Sequence, residues 1–205
     1  MNYRRPLPRQ GDAALLVALC VVMVLMLTGA SAVRIALNAE KSSRGERDRQ
    51  IALQAAEAAL EDAERDIEGG SNPASARASM FAPGSSEGFV DGCGAGLSNP
   101  GLGLCLRVPE SAPPAWQSAA LAGDKGDARA VEYGYFTGAR MPSGAGTLPA
   151  RLPRYIIELM PYARAGHDAS ARTGNFYRIT AIGFGVSDST SVVLQSFYLK
   201  AGEVV

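Results

Sequence analysis

The sequence predicts an α+β protein in which one long N-terminal helix, apolar in its first half and amphipathic in its second, packs on an antiparallel sheet. Two observations predict it. From Ala13 to Glu68 no proline interrupts a run of helix-compatible residues. From Ala130 onward, four short runs rich in β-branched and aromatic residues follow, separated by turn-forming segments. One helix followed by consecutive strands is the pattern of a helix covering one face of a sheet.

The first element is Ala13 to Val33, which contains no charged residue. At about 1.5 Å rise per residue it makes a helix of roughly 31 Å, matching a hydrocarbon core of roughly 30 Å. Arg4, Arg5 and Arg9 precede it and Arg34 closes it, so the basic leader is expected in the cytoplasm and the remainder outside. Three export signals compete here. A secretory signal peptide would be cut after Ala32, at Ala30-Ser31-Ala32, and release a soluble product. A lipoprotein signal at Cys20 needs a small residue before the cysteine, and Leu19 stands there. The third is a short basic leader ending at Gly11, cut before the apolar span and leaving it in the mature chain. Continuity favours the third, because Ile35 to Glu68 contains only one glycine, Gly45, and no proline.

Beyond Arg34 the helix turns charge-rich, with Glu40 and Arg44, and Arg44 and Asp48, at i,i+4 spacing. From Gln50 to Glu68 strong helix formers dominate. Leu53, Ala56, Leu60, Ala63 and Ile67 recur at intervals of three and four and form the expected packing stripe. Gly69-Gly70 and Asn72-Pro73 end the helix. The domains expected are a leader at 1–11, an apolar helix at 12–34, an amphipathic helix at 35–69 and an exported domain at 70–205. That domain divides into a loop-rich part at 70–129 and a sheet at 130–200.

The loop-rich part is Gly-, Ser-, Ala- and Pro-dominated, with one short helix expected at 115–121. Cys93 and Cys105 lie in its Gly-rich stretch and are expected to form a disulfide, which an oxidising compartment permits. Zinc would need two further ligands, and the chain has one histidine, His167. The strands expected are 130–136, 154–160, 176–182 and 191–199, the last two joined by a hairpin loop at 185–190.

Equal numbers of basic and acidic residues, 20 of each, leave no basic field for nucleic acid. Catalysis finds no foothold. There is no nucleophile elbow, no phosphate-cradling loop and no histidine pair for a metal, and the glycines between 92 and 103 form no dinucleotide fingerprint. Ser187-Asp188-Ser189 is explained by a hairpin turn without a calcium ion, and Trp116 is expected in the core. No enzyme activity, cofactor or metal is therefore expected.

Several stretches together resemble the PilX family of type IV pilus minor pilins. They are Arg9-Gln10-Gly11 with Ala13 to Leu19, Arg47-Asp48-Arg49 with Gln54 to Leu60, Tyr177 to Ala181, and Val192 to Ser196. The resemblance implies a type IV pilin-like fold and an inner-membrane protein with a periplasmic domain that enters the pilus fibre. It also implies cleavage by a prepilin peptidase between Gly11 and Asp12. The implied partners are other minor pilins, the major pilin and a PilY-type tip adhesin, and the implied roles are priming of assembly, surface display, twitching motility and adhesion. Two positions depart from familiar patterns: Asp12 follows the leader glycine, and the fifth mature residue is Leu16 where major pilins carry a glutamate. A type II secretion pseudopilin and a secreted binding module released after Ala32 are the alternatives.

Overall fold

The computed structural model describes residues 10–71, 75–109, 111–123, 129–162 and 174–200. Helix α1 runs Gln10–Ile67. It stops where glycine permits left-handed backbone: Gly69 and Gly70 have φ of 113° and 56°, and the Gly70 N–H donates to the Arg65 carbonyl at 2.8 Å. That bond satisfies a carbonyl the last turn leaves open. The chain parts into two compact units between Glu46 and Arg47. The first is helical. The second carries the remainder of α1 and all of the sheet.

Within the second unit, α2 is Ala76–Met80, capped by the Ser75 hydroxyl, which accepts from the Ala78 N–H at 3.1 Å. Strand β1 is Leu104–Leu106, α3 is Ala115–Ser118 and β2 is Val131–Glu132. The long strands are β3 at Arg154–Tyr162, β4 at Gly174–Phe184 and β5 at Ser191–Tyr198. Their order is β1-β3-β4-β5, with β2 pairing the start of β3. The β2–β3, β3–β4 and β4–β5 pairs are antiparallel, as expected, whereas β1 runs parallel to β3, so the sheet is mixed. The hairpin loop closes at 185–190, with the Gly185 N–H donating to the Thr190 carbonyl at 2.8 Å.

Two strands differ from expectation. β1 lies inside the loop-rich part, and the run 130–136 keeps only two strand residues. Gly134, at φ 77°, turns the chain there and gives its N–H to the Asp62 carboxylate at 2.7 Å rather than to a strand.

Period-two alternation sorts the core into two layers. Tyr155, Ile157, Leu159, Tyr177, Ile179 and Ala181 meet α1, with Phe81 and Phe89 closing the end of that layer. Ile156, Ile182 and Phe184 pack on the other side beneath α3 and the cysteines, with Trp116 against them.

Candidate assembly surface

The packing face of α1 is set by how closely a helix can approach a sheet. At Gly183 on β4 a Cβ would lie 2.1 Å from the Ala52 carbonyl oxygen and 2.3 Å from the Ala56 nitrogen. Strand backbone therefore rests directly on helix backbone. Only alanines fit beneath it, and Ala52, Ala55, Ala56, Ala59 and Ala63 are all buried. Of the expected stripe, Ala56, Ala63 and Ile67 lie in the interface, Leu60 is half-buried and packs against its margin, and Leu53 is 36% exposed. The face is centred on the alanines, with Leu60 at its margin, because a leucine directly beneath Gly183 would wedge helix and sheet apart.

The same face carries two buried acids. Asp66 receives the Arg77 guanidinium through Nη2 at 2.6 Å and Nε at 3.1 Å, and the Tyr155 hydroxyl at 3.1 Å. Arg77 spends its remaining donor, Nη1, on the carbonyls of Pro100 and Leu102 at 2.7 and 2.8 Å, and its plane lies 4.1 Å from the Phe136 ring centroid. One arginine thus ties α1, α2 and the loop before β1 together. Burial pushes the Tyr155 hydroxyl well above its ordinary range, and the Asp66 charge adds to that, so it stays a donor. Asp62 accepts from the Gly134 N–H and the Thr137 hydroxyl, while burial raises its carboxyl above the usual carboxylate range. On the outer layer Glu158 is fully buried and meets Arg178 in a two-pronged pair at 2.6 and 2.8 Å. These acids were invisible to charge patterning, which reads helix carboxylates as solvated. A signal was present in Asp62 and Asp66, spaced four apart on the face of Ala59 and Ala63.

Asp48 does not answer Arg44, whose partner is Glu40. Its carboxylate accepts from the backbone N–H groups of Val186 and Ser187, pinning the β4–β5 hairpin to α1. The Thr190 hydroxyl, first among these hydrogen bonds, holds the Asp48 carboxyl below the usual range. Asp188 pairs with Arg151 at 2.6 Å.

Cys93 and Cys105 form a disulfide that staples the Gly-rich loop to β1. His167 lies outside the described residues. Gly11 and Asp12 fall in the first turn of α1.

The first unit shows the opposite surface character. From Leu15 to Leu27 its large apolar side chains, Leu16 and Met23 among them, are exposed around the whole helix. A helix apolar on every side is at home in lipid or among other apolar helices. Its length and composition suffice to cross a membrane.

An exposed apolar helix that continues into an alanine face seated on a sheet defines a pilin-like subunit. Two family models match the chain, "PilX N-terminal" over residues 10–61 and "Type IV pilus assembly protein PilX C-term" over residues 83–200. The chain belongs to the PilX family of type IV pilus assembly proteins, which are structural pilus components. No curated protein and no solved structure matches it.

Proposed function

We propose that this chain is a minor pilin held in the inner membrane by its apolar helix, with residues 70–205 in the periplasm, until it is drawn into the pilus. The supporting observation is the continuity of α1 from Gln10 to Ile67. A cut after Ala32 would fall midway along α1 and discard the apolar stretch, whereas a cut between Gly11 and Asp12 by the prepilin peptidase, in its first turn, spares the whole of it. The remaining domain bounds follow: leader at 1–11, apolar helix at 12–34 and amphipathic helix at 35–69.

Placement follows from Leu16. A buried glutamate is costly unless a charge answers it, and in major pilins it answers the N-terminal amine of a neighbouring subunit. A chain with leucine at that position cannot answer a predecessor, so its place is at or near the tip, where none exists. Other minor pilins, the major pilin below and a PilY-type adhesin above are its partners there, and priming, display, twitching and adhesion are the roles it serves. Immunogold labelling of sheared pili tests this. Label at fibre ends is expected, together with loss of surface pili when the chain is deleted; label spaced evenly along the fibres would overturn the tip placement.

A further inference from the structure

The two edges of the sheet are treated differently. On the β1 side the segment Val90–Gly94 lies alongside, with the Leu106 N–H donating to the Val90 carbonyl and the Gly94 N–H to the Leu104 carbonyl, both at 3.0 Å. The Cys93–Cys105 disulfide fastens that cover in place. On the other side β5 pairs only with β4 among the described residues. Proteins blunt such edges with charge, proline or a bulge. β5 reads Ser191-Val-Val-Leu-Gln-Ser-Phe-Tyr198 and has no charge, proline or glycine.

Both flanks of this edge carry information. On the outer flank Val193 and Phe197 are 44% and 64% exposed, Leu199 follows at 44%, and Phe197 leans on Phe176 with ring centroids 5.8 Å apart. On the inner flank the Tyr198 hydroxyl donates to Glu68 at 2.7 Å. Helical geometry then places Leu53 and Leu60 on the same side of α1 as Tyr198, with Glu57, Glu61, Glu64 and Glu68 in a row outside them. Among the described residues Arg65, 4.0 Å from Glu61, is a cation beside that row.

We infer that β5 is a docking edge that receives an extended strand from another pilus subunit, one whose side chains alternate apolar and basic. This rests on the reading that the chain assembles with other pilus subunits. The open backbone groups of β5 select a strand over a helix or a lipid surface, because only a strand pairs with every second N–H and C=O along the edge. The alternation selects its sequence. Side chains on one face of the incoming strand continue the apolar row of Val193, Phe197 and Leu199. Those on the other face pass over Leu53 and Leu60 toward the glutamates, which suits lysine or arginine, with an aliphatic stem and a cationic head.

The test uses the full chain in detergent micelles and a capped nine-residue peptide of alternating valine and lysine. Two control peptides replace lysine by glutamate, or carry N-methyl groups on alternate residues so that the backbone cannot pair. Saturable binding of the valine-lysine peptide is expected. Binding should weaken at least about tenfold in Val193→Lys/Phe197→Lys and in Glu57→Lys/Glu61→Lys, and be lost on N-methylation, with thermal unfolding of both variants unchanged. Equal binding of the glutamate peptide, undiminished binding of the N-methyl peptide, or no binding to the folded chain would overturn the inference. A concentration-dependent dimer of the chain, abolished by Phe197→Lys, would overturn it in favour of a second copy as the occupant. Absence of the chain from sheared pili with peptide binding intact would overturn the pilus reading instead and leave a strand-docking edge.

Discussion

Arg77 joins α1, α2 and the loop before β1, and its loss strands a buried charge. Asp66 is almost wholly buried, and without the guanidinium its carboxylate keeps, among the described residues, the Tyr155 hydroxyl. Arg77→Met is therefore expected to cost about 3–5 kcal/mol of stability. Adding Asp66→Asn should recover part of that cost; chemical denaturation of both variants measures the coupling. Asp48 makes a second residue-scale prediction. Its folded pKa is depressed, so the stability it contributes is present above the ordinary carboxylate range and is lost as pH falls through the folded value. Asp48→Asn should flatten that part of the acid limb in a denaturation series across pH. An unchanged acid limb would mean the hairpin contact carries no proton linkage. Asp62 works in the opposite direction, its raised pKa giving stability that declines as pH rises past the ordinary range.

At the scale of elements, the close seat of α1 on β4 depends on one missing side chain. Gly183→Val would drive its branches into the α1 backbone at Ala52 and Ala56, and a cost of about 3 kcal/mol or more is expected. A destabilisation no larger than that of an exposed strand substitution would show that helix and sheet are not in backbone contact. The disulfide makes the companion prediction: Cys93→Ser/Cys105→Ser should lower stability by on the order of 3 kcal/mol, and reduction of the wild type should match it. These elements also show what the sequence made legible. The helix and the three long strands were readable because their periodicity and punctuation are local. The centre of the helix's buried face was less so, because the three-four spacing ran through Leu53 and Leu60 as well as the buried Ala56, Ala63 and Ile67, while the close-approach constraint came from a glycine more than a hundred residues away. β1 escaped for a related reason. Three residues among glycines have no period to read, and β1 is a strand only because β3 and the cysteine-fastened loop lie on either side of it. The buried acids needed Arg77 and Arg178 to be placed before their burial made physical sense.

At the scale of the whole molecule, the chain carries two surfaces that water does not explain. One is the apolar helix from Leu15 to Leu27, and the other is the uncharged edge of β5. The first fits membership of the PilX family of structural pilus components and, in the role proposed, passes from lipid to the apolar helices of neighbouring subunits. The second belongs to assembly with a partner strand. The filament role depends on the apolar span staying in the mature protein, and the most direct test is the intact mass and N-terminal sequence of the protein purified from its native membrane. A start at Asp12 or Ala13 is expected, with the apolar helix retained. A start at Val33 would show that the span is discarded, and the account of this chain as a filament subunit would be contradicted.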